Sequence, residues 1–351
     1  MKKMLLIATI VCLCVTGVFF IIKDQLLMTP VEDDKVQIGL MVDSLVIERW
    51  QKDRDIFITK AKELGAEVIL KNANEDATLQ IEQVKELIKA KVDVIVIIPY
   101  DRISIAPILK QAMREGIKVI AYDRLVHNGD VDLYLSFDNI LVGALMGQAI
   151  VEKAPKGNYI ILNGSPKDNN AYMFNEGYMS VLQPLIDSGQ ITVVADVWAD
   201  DWREVVAYDT VNEVLESGIE VDAIIGANDD LAEGAIRALL EQQLAGEVFV
   251  SGHDANLSAC QRIVEGTQTI TVYKPIKKLA QSAAEMAVLL AEGGEVNSDA
   301  QIDDGEHQVP FIKFEPILVN KDNIVEVIVG DGFHLMEEVY RNIPKTEWPN
   351  P

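Results

Sequence analysis

Along most of the chain a short apolar run is followed by a longer stretch whose apolar residues recur every three or four positions. The first five such runs are "VQIGLMV", "AEVILKN", "VDVIVIIP", "IKVIAYD" and "LYLSFD". The next five are "NYIILNGS", "ITVVADVW", "VDAIIGAND", "GEVFVSGHD" and "TITVYKP". Val and Ile fill them without clean alternation, which predicts strands buried on both faces in a parallel sheet covered by helices. The helices fall between them, in stretches such as "DATLQIEQVKELIKAK", "ISIAPILKQAMREG" and "DLAEGAIRALLEQQ". Ten strands exceed what one compact unit of this spacing holds, so the pattern predicts an α/β chain of two doubly wound parallel-sheet domains. The break is expected near Asp138 to Gly143.

One run has a different character. Residues Met4 to Ile22 carry no charge, follow Lys2 and Lys3, and would span roughly 28 Å as a helix, close to a bilayer's hydrocarbon thickness. The exit "VFFIIKD" is bulky where a cleaved signal needs small residues, and neither Cys12 nor Cys14 follows a small residue as a lipoprotein cysteine would. These features predict a retained N-terminal transmembrane helix with the rest of the chain on the extracytoplasmic face, since the lysines stay inside. Cleavage after Gly17 is the alternative.

Composition narrows the chemistry. A formal charge of -24 over 351 residues excludes nucleic acid as a partner, because phosphate binding needs clustered Lys and Arg. Only Cys260 lies beyond the first apolar run, and four scattered histidines give no metal-ligand spacing, so neither a disulfide framework nor a metal is expected. Neither GxGxxG nor GxxxxGK[ST] is present, so no dinucleotide or nucleotide cofactor is indicated. The serine of "NGSPKD" lacks the GxSxG elbow, and no nucleophile–base pair stands out, so the chain reads as a non-enzyme.

In open parallel sheets, ligands bind beyond the carboxyl ends of the strands. Those ends carry Arg49 and Trp50, Asp123 and Arg124, Asn169 and Asn170, Trp198 to Trp202, Asn228 and Asp229, and Asp254. Each has an ordinary reading as a surface pair, a turn or a helix cap, and for Asp229 capping is the stronger one. Their recurrence in both halves points instead to one shared cleft. Asp and Asn accept from hydroxyls, Arg, Asn and Lys donate to them, and Trp covers C–H faces, which suits a small polyhydroxylated ligand.

The segments "VIERWQKDRDIF", "GNYIILNGSPKDNNA", "SGHDA" and "GTQTITVYKPI" closely resemble the periplasmic D-xylose-binding proteins, type I periplasmic sugar-binding proteins, over about Val36 to His334. The resemblance implies a sugar-binding clamp whose domains are joined by a three-stranded hinge and close on the sugar. The chain would cross near Asp138, Lys274 and Gln308. On that basis 1–35 is an anchor and linker, 36–138 plus 274–308 the first lobe, 139–273 plus 309–335 the second, and 336–351 a tail. It also implies that a pentose, D-xylose or a similar one, lies between Trp50 and Trp202. Its polar contacts would be Arg49, Asp123, Arg124, Asn170, Asn228, Asp254 and Lys274. The expected anchor favours signalling to a membrane sensor histidine kinase; supply of an ABC permease is the alternative.

Overall fold

The structure is a computed structural model, and it describes residues 35–349 apart from Ile47 and Asp299. The expected anchor at Met4 to Ile22 lies outside the described residues. Among the described residues no helix is long and apolar enough to cross a membrane.

The first half alternates strand and helix: β1 (Gln37–Val42), α1 (Glu48–Glu63), β2 (Glu67–Asn72), α2 (Ala77–Ala90), β3 (Val94–Ile97), α3 (Ala106–Arg114), β4 (Lys118–Tyr122) and β5 (Leu133–Phe137). The second continues with α4 (Asn139–Lys153), β6 (Gly157–Asn163), α5 (Asn169–Asp187), β7 (Ile191–Trp198), α6 (Glu204–Glu216) and β8 (Ala223–Gly226). It ends with α7 (Asp229–Glu241), β9 (Phe249–Ser251), α8 (Leu257–Glu265) and β10 (Thr271–Tyr273). Then α9 (Ile276–Ala291), β11 (Ala300–Asp303), β12 (Gln308–Phe314) and β13 (Ile317–Val319) close the chain's sheets. Each of the ten predicted apolar runs contains a strand.

Two sheets result. The first has the order β11-β12-β5-β4-β3-β1-β2, parallel except for β11 against β12. The second has the order β7-β6-β8-β9 and is parallel throughout. Residues Gly252 and Asp254 extend it by bonding Ile270 and Val272, which brings in β10 and its antiparallel partner β13. Every residue of β3 and β8 is buried, as unalternating Val/Ile runs require. Each such Val or Ile side chain contributes on the order of 1.5–3 kcal/mol by burial.

The chain passes between the sheets three times. The first passage is at Asp138, whose carboxylate caps α4 through the Leu141 amide (3.0 Å) and accepts from Lys313 Nζ (2.7 Å). The second is at Lys274–Pro275, after which α9 returns to pack on α1, with Lys60 and Glu285 paired at 2.9 Å. The third differs from the passage expected near Gln308. Strand β12 pairs with β5, Phe311 opposite Tyr134 through Phe314 opposite Phe137, so the passage falls after Phe314. The C-terminal stretch differs too. Its helix α10 (Met336–Val339) packs on α8, and Val339 and Tyr340 are buried with Cys260 and Ile263. Apolar residues in "MEEVYRNIPKTEW" make it part of the second lobe's core rather than a tail.

Candidate functional site

The carboxyl ends of both parallel sheets face one cavity with about 330 Å³ of empty volume. Twelve side chains line it: Arg49, Trp50, Asp123, Arg124, Asp168, Asn170, Phe174, Trp202, Asn228, His253, Asp254 and Lys274. All nine residues selected from the sequence border this space. Asp168, Phe174 and His253 were not selected.

Arg49 and Trp50 belong to the first turn of α1, which starts at Glu48. That start places Asp53 one turn after Arg49, Nε to Oδ2 at 3.4 Å. The same guanidinium reaches Asp123 and, at 3.5 Å, Asp254 of the other lobe. It also covers the Trp50 ring at 4.5 Å from the centroid, and Arg124 approaches that ring at 5.5 Å. Both guanidinia thus lie within cation–π reach of the Trp50 ring.

Asp123 follows β4 in the left-handed region, φ 63°. Its carbonyl accepts from Ser136 Oγ (2.6 Å) and Tyr134 Oη (2.9 Å), which offsets the cost of that backbone. Its carboxylate accepts from Asn170 Nδ2 at 3.0 Å, across the lobes. Asn170 lies in the first turn of α5, capped by Asp168, which accepts from the Asn170 amide at 2.9 Å. The Asp168 carboxylate also pairs with Arg124 Nε at 2.7 Å, while Arg124 Nη1 donates to Asp43 at 2.7 Å. Asp168 was thus missed because its cap role and its ion pair meet only in three dimensions. Phe174 had a readable signal, since it stands four residues after Asn170 on the same helix face.

In the second lobe Trp202 (φ 57°) follows β7 and lies against Gly164, where a Cβ would come within 2.1 Å of the ring. Trp198, the other indole of this stretch, packs on Tyr172 at 4.7 Å instead. Asn228 caps α7 by accepting from the Leu231 amide at 2.9 Å. Asp229, expected as the cap, is instead buried and accepts from Gln268, Thr271 and the Asn256 amide at 2.8, 3.0 and 2.9 Å. Asp254 (φ 96°) takes Lys274 Nζ at 2.9 Å.

Burial disfavours every charge here, and the partners decide the outcome. Burial pushes the Asp43 and Asp53 carboxyls up to about 6 in spite of Arg124 and Arg49. At Asp123 burial acts the same way, but Arg49 and Lys274 outweigh it and hold the carboxyl below its usual range. Asp254 is likewise held low against burial, by the charged neighbours Lys274 and Arg49. Both indole N–H groups, of Trp50 and Trp202, are buried without a hydrogen-bond partner. Among the described residues no group of three or more His, Cys, Asp or Glu could hold a metal. The wall therefore offers paired donors and acceptors around aromatic faces.

Residues 38–295 match the family model described as a periplasmic binding protein domain. The chain is 48% identical over 306 residues to a D-xylose-binding periplasmic protein of Haemophilus influenzae, covering 87% of this chain and 92% of the relative. It is 47% identical to the D-xylose-binding periplasmic protein of Escherichia coli, with 87% and 93% covered. Among solved structures, an ABC transporter solute binding protein from Clostridium phytofermentans with bound β-D-glucose superposes with a TM-score of 0.80 at 30% identity. That match covers 86% of this chain and 99% of the other.

Proposed function

Because the chain belongs to the periplasmic binding protein family, in the group of the D-xylose-binding periplasmic proteins, we propose that it encloses D-xylose between its lobes outside the cytoplasm and delivers it to an ABC-type permease. The observation that carries this reading is the cavity itself, with Arg49, Asp123, Arg124, Asn170, Asn228, Asp254 and Lys274 around Trp50 and Trp202. Each sugar hydroxyl both donates and accepts, and the wall supplies both functions within reach of one ring. The indoles cover the ring's apolar faces. Nothing in the arrangement pairs a nucleophile with a base, which favours binding without turnover.

Uptake is favoured over input to a sensor histidine kinase. The kinase reading draws on the apolar run Met4 to Ile22 alone, whereas the similar Clostridium phytofermentans protein is a transporter component. Closure of the lobes about the three crossing strands would present one surface with sugar bound and another without. A thermal-shift panel of pentoses and hexoses tests the ligand class. A sugar at a hundred times its dissociation constant stabilises by about 2.7 kcal/mol, and D-xylose is expected to give the largest shift. A hexose shifting the melting temperature while xylose leaves it unmoved would reject the assignment.

A further inference from the structure

His253 bridges the loop carrying Asn228 and the loop carrying Asp254. Its backbone carbonyl accepts from the Asp229 amide at 3.0 Å, and its ring Nδ1 bonds the Ala227 carbonyl. A carbonyl oxygen only accepts, so Nδ1 carries the proton. The ring is packed against Phe174 at 4.5 Å and edge-on to Trp202 at 6.2 Å, which fixes its orientation at the cavity wall. Burial pulls the imidazole down to about 4, with Asp254 opposing and Lys274 and Arg49 adding to the fall, so the ring is neutral at pH 7.

A neutral ring protonated at Nδ1 presents Nε2 as an acceptor. Nε2 lies 3.4 Å from Asp254 Oδ1, which is also an acceptor. Lys274 Nζ and Arg49 Nη1 approach that carboxylate oxygen at 2.9 and 3.5 Å. Two lone-pair atoms facing each other on a cavity wall are matched by a donor placed between them. We propose that His253 is a specificity-determining residue whose Nε2, together with Asp254 Oδ1, accepts one ligand hydroxyl, so that the cavity requires a hydroxyl at that ring position. This rests on the pentose reading of the same site. A site built to bond a hydroxyl discriminates strongly against the analogue lacking it, because its own polar atoms are then left unpaired.

The test is calorimetry with D-xylose and the monodeoxy analogues lacking each ring hydroxyl in turn, on the wild-type protein and on His253→Phe. One analogue should bind the wild type at least roughly tenfold more weakly. His253→Phe should weaken xylose by a similar factor and leave that one analogue unaffected, while the others fall in parallel with xylose. If every analogue, that one included, falls by the same factor, His253 acts only through the loops it joins and the proposal is overturned. Nitrogen NMR of the wild-type imidazole gives a second readout that does not depend on the variant's folding. A proton on Nδ1 and an Nε2 resonance that moves on adding sugar support the proposal; a proton on Nε2 overturns it. If the wild type takes up no pentose, the pentose reading falls by itself, and the position of that proton still decides whether an acceptor faces the cavity.

Discussion

Asp123 holds together groups from both lobes: Arg49 on one side, Asn170 on the other, and the hydroxyls of Ser136 and Tyr134 at its carbonyl. Asp123→Asn keeps the shape and tolerates the positive φ, but removes the charge that Arg49 needs. Xylose affinity should fall by about 1–3 kcal/mol in a titration, with the fold retained by circular dichroism. Asp229 bears on pH. Burial pushes its carboxyl up to about 7, against about 3.9 in an unfolded chain. Between those values the folded protein keeps a proton that the unfolded chain has released, so stability falls as pH rises from about 4 to about 7. Asp43 and Asp53, raised to about 6, act in the same direction. Below about 4 the low-lying Asp123 and Asp254 reverse the slope. The melting temperature should therefore be higher at pH 5 than at pH 7.5, and Asp229→Asn should narrow the difference. An unchanged slope in that variant would remove Asp229 as its source. Arg49, Trp50 and Asp123 were legible in the sequence because each follows a predicted strand. The role of Asp229 was not, since its donor Gln268 stands 39 residues away.

At the scale of elements, the ten apolar runs sufficed to place the buried parallel strands, but β11, β12 and β13 were not predicted. Strand β11 alternates exposed and half-buried residues at a sheet edge, and β12 contains Pro310, which lacks the N–H of a ladder residue. Both are stabilised by pairing, a tertiary effect that no local pattern carries. Around the cavity, the segment after β3 meets those before α5 and α6. Tyr100 Oη donates to Asp201 at 2.6 Å, Lys167 Nζ lies 3.0 Å from both, and the Arg102 amide donates to the Lys167 carbonyl at 3.0 Å. None of these side chains lines the cavity, so they bear on closure and not on contact with ligand. Lys167→Ala should weaken sugar binding by up to about 1 kcal/mol, a figure kept small because the lysine is partly exposed. Stopped-flow release should show the change as a faster off-rate, and an unaltered off-rate would leave the cluster without a part in closure. The docked C-terminus makes a separate expectation. Tyr340→Ala should cost about 3 kcal/mol in denaturant unfolding, as an aromatic removed from a core does. A loss within about 0.5 kcal/mol, typical of surface changes, would mean the segment is not part of the core.

For the whole molecule, the charge of -24 coexists with a cleft in which cations and carboxylates are individually paired, so net charge says nothing about the ligand. What decides the ligand is that two sheets turn their carboxyl ends toward one space, an arrangement the repeated pattern predicted in outline. The sequence placed the third crossing too early because a strand of the first lobe, β12, follows the second crossing by more than thirty residues. With three crossings acting as a hinge, small-angle scattering should give a smaller radius of gyration with xylose than without it. Equal curves at saturation would instead describe a rigid, preformed cavity. The most direct test of the central claim is titration calorimetry of D-xylose into the wild-type protein and into Asn228→Ala and Lys274→Ala. The prediction is one saturable site per chain, with affinity reduced in both variants. Absence of heat at millimolar xylose, or equal affinity in all three proteins, would contradict it.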